Sequence, residues 1–385
     1  MTDLQKQQDR LNSKRMLKHA TSFVFAIIVF GLSVEFCVRV EQYFRFGAPI
    51  FGEYRIGILR VHDKNIPNTQ FEKWKNNNLG FRGPDITVKK PEGKIRVVCM
   101  GASETYGVFE SPDKEWPAQL RDLLPSQYEV VNTAVAGLTL NYFPSYIAKH
   151  VLPIEPDVVV IMFNPVFMIA RNDGQPAEVV ENIKNSEPEK LKNNLKPPIT
   201  NRLRPTFRVI ANAKQIIKQA LVGKFPTLLK KFQIWNLSRQ ITKLEAEYLK
   251  GMKPFDTAPE ADLQNLKKIT EKVIDLVMAN GPRIIFCTYP SLISYESFAK
   301  HPAIMLGTRR FHIYLSMDGM NDALIKGNAI VFDTSIEKNI TIVDVSAAIP
   351  KTLEYFEDAY HYTDNGAALF AEKIATQILL DPESR

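Results

Sequence analysis

Ile95-Arg96-Val97-Val98-Cys99-Met100-Gly101-Ala102-Ser103 is the stretch on which the fold turns. Apolar residues fill five of its first six positions without the alternation of a half-exposed strand. Such a run suits a strand covered on both faces, as in a parallel sheet. A serine three residues beyond its end is held at the carboxyl edge of that sheet, where ligands bind in open α/β folds.

Four more runs of the same kind follow. Tyr128 to Asn132, Asp157 to Phe163, Arg283 to Thr288 and Thr341 to Val345 each read as buried strands. Helical spacing falls between and after them, at Glu115 to Leu124, Leu138 to His150, Asp262 to Asn280 and Asp364 to Leu380. In the third of these helices Leu263, Leu266, Ile269, Val273 and Val277 recur on one side, with Gly281 as a stop signal. Thr363 is a suitable N-cap for the last. Strands alternating with helices predict an α/β fold with a doubly wound sheet. Between the third and fourth strands, about 174–261 is an insertion. Its first part is polar and Pro-rich. Within 207–221, Phe207, Ile210, Ala211, Ile217 and Leu221 interleave with Arg208, Lys214 and Lys218, an amphipathic pattern. The plainer reading is a cap helix with a solvated basic face; the sharper one is a surface for anionic headgroups or an acidic glycan.

The chain has 385 residues, 45% hydrophobic and 24% charged, which excludes a disordered or collagen-like protein. Of its net charge of +7, twelve Lys and Arg against Glu245 and Glu247 place +10 between Arg202 and Lys253, leaving the remainder slightly acidic. The basic balance therefore marks one segment and gives no sign of a nucleic-acid partner. Cys37, Cys99 and Cys287 are too few and too scattered for a disulfide framework, and no pair has metal-ligand spacing. Ala20 to Val38 is a largely apolar run of nineteen residues with a single charge, Glu35, just long enough to cross a bilayer. Lys6, Arg10, Lys14, Arg15 and Lys18 precede it, so the positive-inside bias puts the N-terminus in the cytoplasm and the bulk of the chain outside. The absence of an A-x-A-like site after the run favours an uncleaved signal anchor over a signal peptide.

The chemistry needs a partner for the serine. A hydroxyl is a poor nucleophile until an imidazole takes its proton, and that imidazole must be held in one tautomer by an acceptor on its other nitrogen. Of six histidines, only His361 has an acid three residues earlier, in Asp358-Ala359-Tyr360-His361. By itself that pair is as readily a local turn before the last helix, and Gly101-Ala102-Ser103 is as readily a tight turn. Gly137, after the second strand, offers an N–H with no side chain in the way, and Asn164, after the third, offers an amide. A helix-start turn and a turn before Pro165 are their plainer readings. The joint placement of Ser103, Gly137, Asn164 and His361 after the first, second, third and fifth strands is what draws them to one crevice.

Gly101-Ala102-Ser103, Asn132 through Gly137, Asn164 and Asp358-x-x-His361 together resemble the four blocks of the SGNH hydrolase superfamily, the GDSL esterases. The resemblance spans about 94–382 and excludes the insertion. It implies a three-layer α/β/α sandwich with a five-stranded parallel sheet, flavodoxin-like in order, and esterase chemistry without cofactor or metal. It further implies Ser103 as nucleophile, His361 as base and Asp358 as its partner. The oxyanion hole would be Ser103, Gly137 and Asn164. Two blocks depart from the family: Ala102 stands where it has Asp, and Met162 and Pro165 stand where it has Gly and Asp around the Asn. The N-terminal anchor followed by Asn78-Leu79-Gly80-Phe81-Arg82-Gly83 is similar to a bacterial membrane-tethered branch, whose members are tied to acyl groups on surface glycans.

The expected organisation is a basic tail at 1–18, a transmembrane anchor at 19–38, an irregular juxtamembrane segment at 39–93 and the hydrolase domain at 94–382. The expected activity is hydrolysis of acyl esters, acetyl above all, on an acylated polysaccharide. Acyl transfer through the same residues, and a catalytically silent glycan-binding scaffold, are the alternatives. Phe163, Phe167 and Tyr106 are candidates for the pocket wall, though aromatics after buried strands also fill cores.

Overall fold

Consecutive residues of a strand point to opposite faces, and the apolar runs use both. In a computed structural model, which describes residues 3–46, 50–51, 60–61, 64–71, 73–169 and 226–380, the five runs form strands β1 (Ile95–Met100), β2 (Tyr128–Asn132), β3 (Val158–Ile161), β4 (Arg283–Cys287) and β5 (Thr341–Val343). All pair in parallel, in the order β2-β1-β3-β4-β5. Val97, Cys99, Val158, Val160 and Ile285 enter one core cluster; Val98, Met100, Val159, Ile161, Ile284 and Phe286 enter the other. Burying each such side chain is worth about 1.5–3 kcal/mol, so both faces must be covered. Trp116–Leu123 and Asp364–Leu380 supply Trp116, Leu120, Phe370 and Ile374 to the first cluster, while Glu260–Met278 supplies Leu266, Val273, Ile274 and Val277 to the second. The result is a three-layer α/β/α sandwich.

The strand order reverses at β1, which opens a crevice beyond the carboxyl ends of β1 and β3. Ser103 and Asn164 follow those two strands. The third and fifth strands are shorter than the sequence suggests. Met162 N–H makes the last bond to β1, to Met100 O at 3.1 Å, and Phe163 carries the chain on toward Asn164, while Asp344 ends β5 by capping a one-turn helix at Val345–Ala348 through Ala347 N–H. The stretch expected as one helix over 138–150 begins at Leu140 and mixes 3₁₀, α and π turns through Ile154, with Pro144 and Pro153 in its path. The segment 39–93 is described in part. It contains two short antiparallel pairs, Arg60–Val61 with Lys64–Asn65 and Gln70–Phe71 with Trp74–Lys75.

Three helices between β4 and β5 went unread in the sequence: Tyr295–Lys300, Pro302–Arg309 and Met317–Glu337. Of the insertion, Pro226–Tyr248 is a 23-residue helix. The Pro-rich part and the amphipathic stretch 207–221 lie outside the described residues.

The N-terminal segment is a single helix, Asp3–Phe46, longer at both ends than the 19–38 span expected. Within Arg15–Phe44 the most apolar 18-residue window has a mean hydropathy of 2.2, so this helix is long and apolar enough to cross a membrane. Glu35, the one acid in the apolar run, is paired with Arg39 at 2.8 Å.

Candidate active site

β1 delivers its serine through a close crossing. A side chain at Gly101 would place Cβ 2.1 Å from Thr105 Oγ1 and 2.9 Å from the Met162 carbonyl oxygen, so only glycine lets the chain turn there. Ser103 then opens a single helical turn, Ser103–Tyr106, closed by Gly107 at φ +78°.

His361 reaches the same point from the far end of the chain. Its loop is closed by Glu357 N–H donating to His361 O at 2.9 Å and by the bridge of Phe356 with Tyr362. From the segment after β4, Leu292 N–H and Ser291 Oγ both donate to Ala359 O, pinning the turn from outside. His361 Nε2 lies 2.9 Å from Ser103 Oγ, and Nδ1 lies 2.9 Å from Asp358 Oδ2. Asp358 Oδ1 also accepts the backbone N–H of Tyr360 at 2.8 Å and of His361 at 2.9 Å. Burial opposes charge on His361, but the Asp358 hydrogen bond and charge, with Glu104 and Glu110 behind them, outweigh it and raise its pKa above 6.5. Burial likewise opposes the Asp358 carboxylate; the imidazole and the two backbone N–H donors prevail and hold its pKa below 3.8.

Beside Ser103 is a cavity of about 120 Å³. Ala102, Leu138, Leu140, Phe163, Phe167 and Met168 give it an apolar wall, and Gly137 and Asn164 also border it. Gly137 takes φ +77°, which a glycine adopts freely. Asn164 Oδ1 accepts Val166 N–H at 3.0 Å, while its Nδ2 is buried without a hydrogen-bond partner. An amide anchored by its oxygen keeps its NH₂ available, at a cost of about 1–3 kcal/mol for the unmade bond. The two departures of this block have local explanations. Met162 is fully buried in the core and its sulfur accepts Tyr362 OH at 3.3 Å, and the Val166 N–H orients Asn164 from the backbone. Phe163 and Phe167 line the cavity, but Tyr106 does not. It is 1% exposed, donates to Asn76 Oδ1 at 2.9 Å and lies beneath the Arg82 guanidinium.

Sequence reasoning missed three neighbours of this cluster. Glu104 is 2% exposed, with Oε2 3.3 Å from Ser103 Oγ and Oε1 accepting Tyr289 OH at 2.7 Å. Phe109 tilts against the His361 ring, centroids 4.9 Å apart. Glu110 is 1% exposed, and burial pushes its pKa up to about 8 against the pull of its own and Phe109's N–H groups, Arg82 and His361. The sequence shows only two acids, Glu104 and Glu110, in the loop after a buried strand; burial itself is not written in the sequence. The Asn78–Gly83 motif acts on this loop, because Arg82 donates to Gly107 O at 2.8 Å and pairs with Glu115 at 3.1 Å. Among the described residues, no group of three or more His, Cys, Asp or Glu is arranged to hold a metal ion.

The sheet order and the clustered strand ends define an open α/β sandwich with a Ser-His-Asp constellation at its carboxyl edge. No protein-family model matches the sequence, and no curated protein matches it. Solved structures similar to the chain include a carbohydrate acetylesterase from Sinorhizobium meliloti, at 11% identity and a TM-score of 0.41, covering 74% of this chain and 99% of that one. An acetylxylan esterase from Geobacillus stearothermophilus is similar at 13% identity and a TM-score of 0.40, covering 74% and 93%. An aryl esterase from M. smegmatis is similar at 13% identity and a TM-score of 0.40, covering 74% and 98%.

Proposed function

We propose that this protein is a serine esterase of the SGNH type, held at a membrane by its N-terminal helix and acting on short acyl esters outside the cytoplasm. The observation that carries the reading is the unbroken contact from Ser103 Oγ through His361 to Asp358, each step 2.9 Å. Ser103 Oγ attacks the ester carbonyl carbon as its proton passes to His361 Nε2. Asp358 holds the imidazole by Nδ1 and stabilises the imidazolium. The carbonyl oxygen, now an oxyanion, takes hydrogen bonds from Asn164 Nδ2 and the N–H groups of Ser103 and Gly137. Collapse breaks the ester C–O bond, and His361 returns the proton to the departing alcohol. Water then attacks the acyl-serine, giving its proton to His361, and the acid leaves as Ser103 recovers its hydrogen.

The small apolar cavity supports a short acyl group, acetyl first. The resemblance to tethered glycan-modifying proteins supports an acylated polysaccharide as the alcohol side. The test is a fluorophosphonate probe on the folded protein, together with release of acetate from an acetylated glycan. Labelling of Ser103 with acetate release is the expected result. An unlabelled folded protein favours a silent glycan-binding domain, and acetylation of an added glycan without acetate release favours acyl transfer; either result overturns the esterase reading.

A further inference from the structure

The insertion helix Pro226–Tyr248 divides its sides sharply. Leu237 and Ile241 are buried, and Ile241 packs with Leu249 and Ile313. At about 100° per residue, positions 232, 235, 239 and 243 fall on the opposite side. There Phe232 is 60% exposed and Trp235 is 55% exposed. Their rings sit 5.8 Å apart, and the Arg239 guanidinium lies 5.7 Å over Trp235. Lys231 and Lys243 are exposed beside them. Glu245 is held by Arg309 at 2.7 Å, and the exposed Glu247, one turn after Lys243, is one carboxylate against Lys231, Arg239 and Lys243, so the stripe stays net positive.

Large aromatics left in water on a helix whose other side is already buried mark a contact surface. Aromatic rings flanked by cations suit the interface of a bilayer, where the ring enters the headgroup layer and long basic side chains reach phosphate. Anionic lipid draws such cations. A chain tethered by its N-terminal helix meets that surface at high effective concentration.

We propose that Phe232, Trp235, Arg239 and Lys243 form a docking stripe for anionic phospholipid, which lays the esterase body on the membrane that anchors it. The proposal takes only the tether from the anchor reading and needs no catalytic residue.

The test is tryptophan quenching by lipids brominated near the headgroup, with the full chain reconstituted in phosphatidylglycerol or phosphatidylcholine vesicles. Of the three tryptophans, Trp116 is fully buried and Trp74 half-buried, so the quenching lost in Trp235→Phe is the signal that reports on Trp235. Quenching is expected in phosphatidylglycerol, is expected to drop to the level left by Trp74 in Trp235→Phe and to fall severalfold in Arg239→Glu/Lys243→Glu. Hydrolysis of a small soluble ester is expected to stay unchanged in these variants. Equal quenching in Trp235→Phe and wild type, or equal quenching in both lipids, overturns the proposal. Protein that floats with vesicles but shows no Trp235 quenching overturns the docking stripe and spares the anchor, whereas protein that floats with neither lipid overturns both. A second copy as the occupant would show as concentration-dependent shielding of Trp235 from iodide in detergent without lipid, which also overturns it.

Discussion

Ser103 Oγ and His361 Nε2 stand 2.9 Å apart although 258 residues separate them in the chain. The parallel sheet and the loops after its first and last strands close that distance, and the chemistry proposed here depends on it. Ser103→Ala is expected to abolish fluorophosphonate labelling and lower kcat by at least about 10⁴-fold. The side chain is half-buried and small, so the melting temperature is expected to stay within a few degrees. Ester turnover at wild-type rates in a folded Ser103→Ala sample would sink the mechanism.

The raised pKa of His361 sets a direction for the rate profile. The base must be neutral to accept the serine proton. Activity is therefore lost as pH falls through the His361 pKa, and the midpoint of this acid limb in kcat/KM is expected above 6.5. Asp358→Asn removes the group that holds and charges the ring. Its acid limb is expected to move to lower pH while kcat falls about 10⁴-fold. A limb that stays in place would mean that Asp358 does not face the reacting imidazole.

Asn164 separates two roles within one side chain. Its oxygen caps the turn at Pro165–Met168 and its nitrogen is free at the cavity. Asn164→Ala is expected to lower kcat about 10²–10³-fold with little change in KM, since an oxyanion donor acts in the transition state. Loss of the cap is expected to cost about 1 kcal/mol in urea unfolding. A stability loss without the kcat loss would assign Asn164 to the turn alone.

The parts of this arrangement that the sequence disclosed are those set by local pattern. β1 and β2 were readable to the residue because continuous apolar runs end at Gly101 and after Asn132. The helix from Asp364 was readable because Thr363 Oγ1 accepts Gly366 N–H at 3.2 Å, as an N-cap should. Met317–Glu337 was hidden because its pattern is blurred, with apolar residues on both sides: Met320, Leu324 and Val331 are buried. Ile325, Phe332 and Ile336 face water, whereas Gly319 and Gly327 are buried. Gly327 reads as a helix breaker, yet a Cβ there would lie 2.3 Å from Pro165, so the glycine is what lets the helix press on the Asn164 turn. That Ser103, Asp358 and His361 would meet was legible from their joint placement after the first and last strands, which the 2.9 Å contacts match; their catalytic roles are the proposal made above. Glu104 and Glu110 were not legible, because their significance comes from tertiary burial beside Tyr289 and Arg82.

A cavity of about 120 Å³ is smaller than the roughly 150 Å³ cavity that accepts benzene. Acetyl through butyryl p-nitrophenyl esters are expected to be turned over, with each added methylene worth up to about 0.8 kcal/mol until the wall is reached. Octanoyl esters are expected to be poor substrates. Phe167→Ala opens one wall and is expected to move the optimum to longer chains. An unchanged optimum in that variant would place the acyl group elsewhere.

Glu110 carries a stability cost that pH reveals. Its carboxyl is pushed up to about 8 from 4.5, chiefly by burial. Between those two values the folded protein holds a proton that the unfolded chain has released. Stability therefore falls as pH rises across this window, by up to about 1.4 kcal/mol per unit, and levels off above about 8. Glu110→Gln keeps an acceptor for Phe109 N–H, which now donates to Oε2 at 3.1 Å, and cannot ionise. Measured by urea unfolding at matched pH, the variant is expected to gain on the wild type by a few kcal/mol between pH 5 and 8.5. The contributions of His361 and Asp358 are common to both proteins and largely cancel in the difference. A wild-type advantage that grows with pH would mean that Glu110 is ionised in the fold and paired with Arg82, reversing the sign of its contribution.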